Sequence, residues 1–325
     1  MKEFEARLKA LHIDPKYYQI LSSFYNSYRE TTLAEGYPVE EIDRNLNTMV
    51  DLVIKEFLSP HKFDSFNRAE RESFDYYKFG NDFIRPLIKK DKSSLRGKEY
   101  IPLILKQLGK KENVILLANH QIEPDPQIIS LMLEEEYPKL AEDLIVIAGH
   151  RVVTDPLAIP FSRGINLLSI YSKRYLENPP ELREEKHLHN QKTLSVMKDL
   201  LMEGGKMIYV APSGGRDRRD EEGNIVVAPF DPSSIELFNL MSQQAQVRTH
   251  FYPFAMSTYH ILPPPDKIQT ELGEQRIAKV APVHLAFGEP VDMDIYEVYD
   301  KKTKREKRAE SIWNEVRTLY AQFPV

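Results

Sequence analysis

The hydrophobic period of this chain changes once along its length, and that change limits the folds open to it. In the first 65 residues, apolar side chains recur at helical spacing only. Phe4, Leu8 and Leu11 are spaced for one face. Ile20, Leu21, Phe24, Tyr25 and Tyr28 suit a second, and Ile42, Leu46, Met49, Val50, Val53, Ile54 and Phe57 a third. Residues three and four apart share one side of a helix, so each set is a buried stripe. Gly36-Tyr37-Pro38 and Ser59-Pro60-His61 separate the stripes. Beyond them, short apolar runs of strand length alternate with longer helical segments. Strands are expected at 113–118, 144–148, 166–170, 207–210, 249–255 and 283–287, and helices at 126–136, 181–203, 232–244 and 305–322. Strands alternating with helices build a sheet covered on both faces. The expected architecture is therefore α/β. A small N-terminal helical bundle (1–65) is followed by a larger α/β domain (66–325) with a mixed sheet flanked by helices. In such sheets ligands gather at strand ends and the loops that follow them.

Composition removes several kinds of chemistry. The chain has no cysteine, which excludes disulfides, thiolate metal sites and a cysteine nucleophile. Its formal net charge of -5 offers no global basic field for nucleic acid, so any anion site must be local. The longest apolar runs, such as Val114–Ala118 and Leu144–Gly149, are too short to span a bilayer. The N-terminus lacks the apolar core of a signal peptide and contains acids, unlike a transit peptide. The expected reading is a mature, soluble, cytosol-like protein. There is no G-x-S-x-G elbow, H-E-x-x-H, G-x-G-x-x-G or P-loop. His187 and His189 lie two apart in a helical segment and face different ways, so they do not form a metal pair. Trp313 falls on an apolar helix face with Val316 and Tyr320, where packing is the default role.

The segment with most chemistry is the apolar run 113–118 and the polar turn after it, Asn119-His120-Gln121-Ile122-Glu123-Pro124-Asp125-Pro126. Five residues along one helix rotate about 140° beyond a full turn, so His120 and Asp125 meet only if the chain bends between them. Pro126 suits a first helical position and Asp125 the N-cap before it. Such a bend folds the imidazole onto the carboxylate. An alcohol needs a base to become a nucleophile, and imidazole titrates near neutrality. A carboxylate on the other ring nitrogen fixes the tautomer and steadies the imidazolium. Spacing alone leaves a structural role for His120 open, since chance matches to His-x4-Asp are common; His150 and Asp155 match it too.

Three more segments bear on the reading. The first runs Asp155-Pro156 to Ser162 and on to Tyr171-Ser172-Lys173-Arg174. The second is Ala211-Pro212-Ser213-Gly214-Gly215-Arg216-Asp217-Arg218. The third is Ala228-Pro229-Phe230-Asp231-Pro232-Ser233-Ser234, with Tyr252-Pro253-Phe254 after it. In the first two, an expected strand runs out into a basic turn. Basic groups at strand ends can converge on one anion, and arginine can hold phosphate through two parallel bonds. Gly214-Gly215 lets the backbone approach a ligand. Taken alone, each basic pair also reads as solvated surface.

In this order, together with Phe74-Asp75-Tyr76-Tyr77, these segments resemble the soluble, plastid-type glycerol-3-phosphate 1-O-acyltransferases of plants and some bacteria. The resemblance runs from about Phe74 to Pro265. It implies a small helical domain on an α/β domain and an acyl chain delivered on acyl carrier protein or coenzyme A. The catalytic pair would be His120 and Asp125. Lys173, Arg174, Arg216 and Arg218 would bind the substrate phosphate, with neither metal nor redox cofactor. Arg174 departs from the plant pattern, where histidine follows the lysine, but keeps the charge. A basic patch for the acidic carrier protein is expected, and 301–308 is a candidate that also reads as a solvated helix start. Peripheral membrane contact for product release belongs to the same expectation, as does the setting the resemblance implies: a bacterial cytoplasm or, for a mature form, the plastid stroma. Two rivals remain: a lysophospholipid acceptor with the same chemistry, and a non-catalytic phosphate-binding module.

Overall fold

The computed structural model describes residues 14–265, 272–296 and 300–324. The stripe of Phe4, Leu8 and Leu11 lies outside them. Helices α1 (Pro15–Ala34) and α2 (Val39–Leu58) carry the other two stripes. Asp14 starts α1, its carboxylate accepting from the Lys16 N–H at 2.9 Å, with Pro15 in the first turn. The apolar faces of both helices close over α3 (Tyr76–Ile84). Tyr28 is fully buried, stacks on Phe83 at 4.6 Å and donates its hydroxyl to the Phe83 carbonyl at 2.7 Å. The same apolar cluster takes in Ile122, Ile128 and Ile261, so the helices rest against the turn that holds His120.

A seven-stranded sheet follows, ordered β1-β9-β8-β2-β5-β3-β4. Its strands are β1 (Ser94–Arg96), β2 (Asn113–Ala118), β3 (Ile145–Gly149), β4 (Asn166–Ile170), β5 (Met207–Val210), β8 (Thr249–Ser257) and β9 (His284–Phe287). A separate two-stranded ribbon, β6 (Arg218–Arg219) and β7 (Ile225–Val226), stands beside it. All sheet neighbours are parallel except β8 with β9, which makes the sheet mixed as expected.

Successive residues of a strand point to opposite faces. Ile115 and Leu117 of β2 therefore join one apolar layer. Its helices are α6 (Arg183–Glu203), α7 (Pro232–Ala245) and α8 (Lys301–Ala321). Val114, Leu116 and Ala118 join the other layer, with α4 (Ile101–Gly109) and α5 (Asp125–Leu133). Every residue of β2 is buried, as befits the middle strand of a two-sided sheet. Because β5 and β8 flank β2 in parallel, with Leu117 opposite both Val210 and Pro253, three carboxyl ends emerge side by side. The loops after β2, β5 and β8 meet there.

Candidate active site

Residue alternation continues past the end of β2. Asn119 and Gln121 are fully buried, whereas the His120 side chain between them is 28% exposed. The two buried amides tie three loops together. Asn119 Oδ1 accepts from the Met256 N–H at 2.8 Å, and its Nδ2 donates to the Met256 carbonyl at 2.9 Å and to Asp217 at 2.7 Å. Gln121 Oε1 accepts from the N–H groups of Thr258 and Tyr259, at 2.6 and 2.9 Å. Its Nε2 donates to Asp217 at 3.1 Å. A buried amide left without partners costs about 1–3 kcal/mol, so this network holds the turn in one conformation.

His120 Nδ1 lies 2.7 Å from Asp125 Oδ2. Asp125 is completely buried and fully satisfied. Oδ2 also accepts from the N–H groups of Gln121 at 2.9 Å and Ile122 at 3.3 Å, and Oδ1 accepts from the Thr258 hydroxyl at 2.6 Å. An acceptor facing Nδ1 selects the tautomer that carries the ring proton there. Among the described residues, Nε2 has no hydrogen-bond partner. The chain does bend between the two, but Asp125 is not the N-cap. Pro124 holds that position and Asp125 is the first helical residue. Its carboxylate turns back to the preceding N–H groups instead of capping α5, and that backward turn puts it against the imidazole.

The loop after β5 is joined to the same turn, since the Asp217 N–H donates to the His120 carbonyl at 2.7 Å. Gly214 adopts φ +64 there, a left-handed conformation that favours glycine, with open space beyond its Cα. Asp217 itself is fully buried. Burial pushes its carboxyl up to about 6, against the pull of Asn119, the Ala228 N–H, Gln121 and His120.

Three of the four expected phosphate-binding residues hold a protein partner. Lys173 Nζ contacts Asp231 at 2.9 Å and is 71% exposed. Arg216 forms a two-pronged bond to Glu274, at 2.7 and 2.8 Å, and a shorter contact to Glu123. Burial lowers the Arg216 pKa, but Glu123 and Glu274 outweigh it and raise it overall. Arg218 donates to the Pro265 carbonyl at 2.5 Å; burial and the neighbouring Arg216 lower its pKa. The structure thus puts Arg216 and Arg218 beside each other and ties Arg216 to the His120 turn through Glu123. Lys173 sits at the start of a helical turn, Lys173–Leu176, that includes Arg174. The Arg174 side chain lies outside what is described.

Sequence reasoning missed Thr258, Asp217, Glu274 and Arg276 as members of this neighbourhood. Asp217 lies within a segment already singled out, between two arginines. The other three come from loops with no local motif. Of the remaining expectations, Trp313 packs as expected and donates to the Val227 carbonyl at 3.1 Å. In the basic run at the start of α8, Arg308 is buried against the Met293 carbonyl and Glu236, while Lys301 and Lys302 are exposed. Among the described residues, no helix is long and apolar enough to cross a membrane, and no group of acids and histidines could hold a metal ion.

A histidine–carboxylate pair thus stands at the carboxyl end of a central strand, with basic loops around it. The Acyltransferase family model matches residues 92–257, and the chain belongs to that family. It is 38% identical over 277 residues to the chloroplastic glycerol-3-phosphate acyltransferase ATS11 of Cucurbita moschata, an alignment covering 84% of this chain and 62% of the relative. It is 36% identical over 260 residues to the chloroplastic glycerol-3-phosphate acyltransferase of Arabidopsis thaliana, covering 79% of this chain and 57% of the relative. The chain thus spans about three fifths of the length of these curated relatives. A solved structure, the 1-acyl-sn-glycerophosphate acyltransferase PlsC from Thermotoga maritima, aligns with a TM-score of 0.42 at 18% identity, over 76% of this chain and 79% of that one.

Proposed function

We propose that this protein transfers a fatty acyl group from acyl carrier protein or coenzyme A to the sn-1 hydroxyl of glycerol 3-phosphate, forming lysophosphatidate. The observation that carries the reading is the His120–Asp125 pair, with Nε2 left open and Arg216 and Arg218 on a loop bonded to the same turn. The names of the relatives favour glycerol 3-phosphate as acceptor, and their chloroplastic setting supports the plastid-stroma reading over the bacterial one.

Lys173, Arg174, Arg216 and Arg218 hold the phosphate and bring the far hydroxyl to His120. Nε2 takes the hydroxyl proton while the oxygen attacks the thioester carbonyl. The tetrahedral intermediate collapses, the C–S bond breaks, and the imidazolium returns the proton to the leaving thiolate. Asp125 keeps Nδ1 protonated and steadies the imidazolium. The substrate supplies the hydroxyl, so the chemistry needs no acyl-enzyme.

Acyl transfer from both donors, with glycerol 3-phosphate and lysophosphatidate compared as acceptors, tests the reading. Lysophosphatidate formed from glycerol 3-phosphate is the expected product. Acylation of lysophosphatidate alone overturns the acceptor assignment. Phosphate binding without transfer from either donor overturns the enzyme assignment.

A further inference from the structure

Beside the His120 turn, two arginines and two glutamates share their charges. Arg216 and Arg276 each contact both Glu123 and Glu274. Glu123 belongs to the turn itself, between His120 and Asp125. Glu274 and Arg276 come from the segment after Gly273. Side-chain exposures are 13% for Arg216, 11% for Arg276, 9% for Glu274 and 37% for Glu123, so three of the four groups are well shielded from water. Burial pushes the Glu123 carboxyl up, and Arg276 with Arg216 outweighs it, bringing it down to about 2. Glu274 is lowered too, the two guanidiniums again outweighing burial. Both carboxylates are therefore charged near neutrality, and with the two guanidiniums the set sums to zero.

A neutral set is a poor receptor for a phosphate dianion. Arg216 holds Glu274 through two parallel bonds, Nη1 to Oε2 at 2.7 Å and Nη2 to Oε1 at 2.8 Å. That fork is the one arginine offers to phosphate, so the carboxylate and a phosphate compete for the same donors. Arg276 uses Nη2 for both carboxylates, with two bonds of 2.8 Å to Glu123. Its Nη1 is buried and has no hydrogen-bond partner among the described residues. A buried guanidinium nitrogen without an acceptor is costly, and an incoming anion would satisfy it.

We propose that Arg276 is a further cation of the substrate phosphate site, and that Glu274 is a resident counter-ion which the phosphate displaces from Arg216 and Arg276. This rests on the reading of Arg216 as a phosphate-binding residue. Glu274 stands in for the phosphate in the empty enzyme, and Glu123 stays with the turn to balance part of the remaining charge. The affinity for glycerol 3-phosphate is then set by an exchange of anions.

Calorimetric titration of the whole protein with glycerol 3-phosphate and with inorganic phosphate, without acyl donor, tests this. Glu274→Gln is expected to bind both ligands about three- to tenfold more tightly than wild type. Arg276→Gln is expected to bind both about tenfold more weakly or worse, as the loss of a charge-assisted bond implies. The double variant Arg276→Gln/Glu274→Gln separates a ligand contact from simple neutralisation of Glu274. It is expected to bind about tenfold more weakly than Glu274→Gln alone. Equal affinity of those two variants overturns the role of Arg276, and unchanged or weaker binding by Glu274→Gln overturns the exchange. If Arg276→Gln does not fold, Arg276→Lys decides: weaker binding at an unchanged unfolding midpoint supports the proposal, and wild-type binding overturns it. Arg216→Gln is the control for the underlying reading, which fails if that variant binds like wild type.

Discussion

Two segments of this chain share one spacing, and only one makes a pair. His120 and Asp125 meet at 2.7 Å. His150 and Asp155 do not bond. His150 begins a short helical turn, stacks on Tyr171 at 4.0 Å and faces the Ser169 hydroxyl at 3.4 Å. Asp155 accepts from the N–H groups of Leu157 at 3.0 Å and Gly273 at 2.8 Å. The difference lies in what flanks each histidine. Asn119 and Gln121 bury their amides and pin the first turn to β8 and Asp217, and its N–H groups gather the carboxylate. The second segment has no such anchors, and its carboxylate is used elsewhere. The consequence is chemical. Burial, with His189 and Lys186 nearby, brings the His150 pKa down to about 4, so it stays neutral near pH 7 and is a weak base. Spacing permits a hydrogen-bonded pair, but buried polar neighbours decide whether it forms.

Substitutions at the two carboxylates sharpen the contrast most. Asp125→Asn is expected to lower kcat/KM for acyl transfer at least about 100-fold, because the amide turns a donor toward the imidazole and two N–H groups. Asp155→Asn is expected to change the rate less than about twofold, at a stability cost of about 1 kcal/mol by denaturant unfolding. Equal losses in the two variants would break the comparison. A smaller effect is expected at Thr258, whose hydroxyl holds Asp125 Oδ1. Thr258→Val should lower kcat/KM about three- to tenfold and cost about 1–2 kcal/mol, with the loss in kcat more than in KM.

The smallest expected effect is on stability against pH, where the two regions act in opposite directions. His150 has a folded pKa of about 4, below the usual 6.5. Its contribution is present above 6.5 and is lost as pH falls toward 4. Asp217, beside His120, has a folded pKa of about 6, above the usual 3.8. Its contribution is present below 3.8 and is lost as pH rises through 6. Acidification from pH 6.5 to 4.5 therefore removes one contribution and restores part of the other. His150→Gln should lose less in unfolding midpoint over that interval than wild type, and Asp217→Asn should lose more. Thermal melts at the two pH values check both signs.

What was legible in the sequence was local. The six expected strands are found, three with the expected bounds and three shifted by one or two residues at an end, because apolar runs on a two-sided sheet need no partner to be recognised. The helical stripes of α1 and α2 read equally well. β1 was not legible, since its three residues follow a lysine-rich stretch and gain strand character only by pairing with β9. The bend between His120 and Asp125 was legible from Pro124 and Pro126, although the capping role given to Asp125 was wrong. Thr258, Glu274 and Arg276 were not legible. They reach the site from segments more than 100 residues beyond the His120 turn, and only Thr258 follows directly from the parallel pairing of β2 with β8, which no local pattern encodes.

The most direct test of the central claim puts both histidines in one assay. Transfer of a labelled acyl chain to glycerol 3-phosphate is measured for wild type, His120→Ala and His150→Ala, with folding of each confirmed by its unfolding midpoint. His120→Ala is expected to lose about 1,000-fold or more, as removal of a general base implies, and His150→Ala to stay within about twofold of wild type. Full activity in a folded His120→Ala variant would contradict the claim.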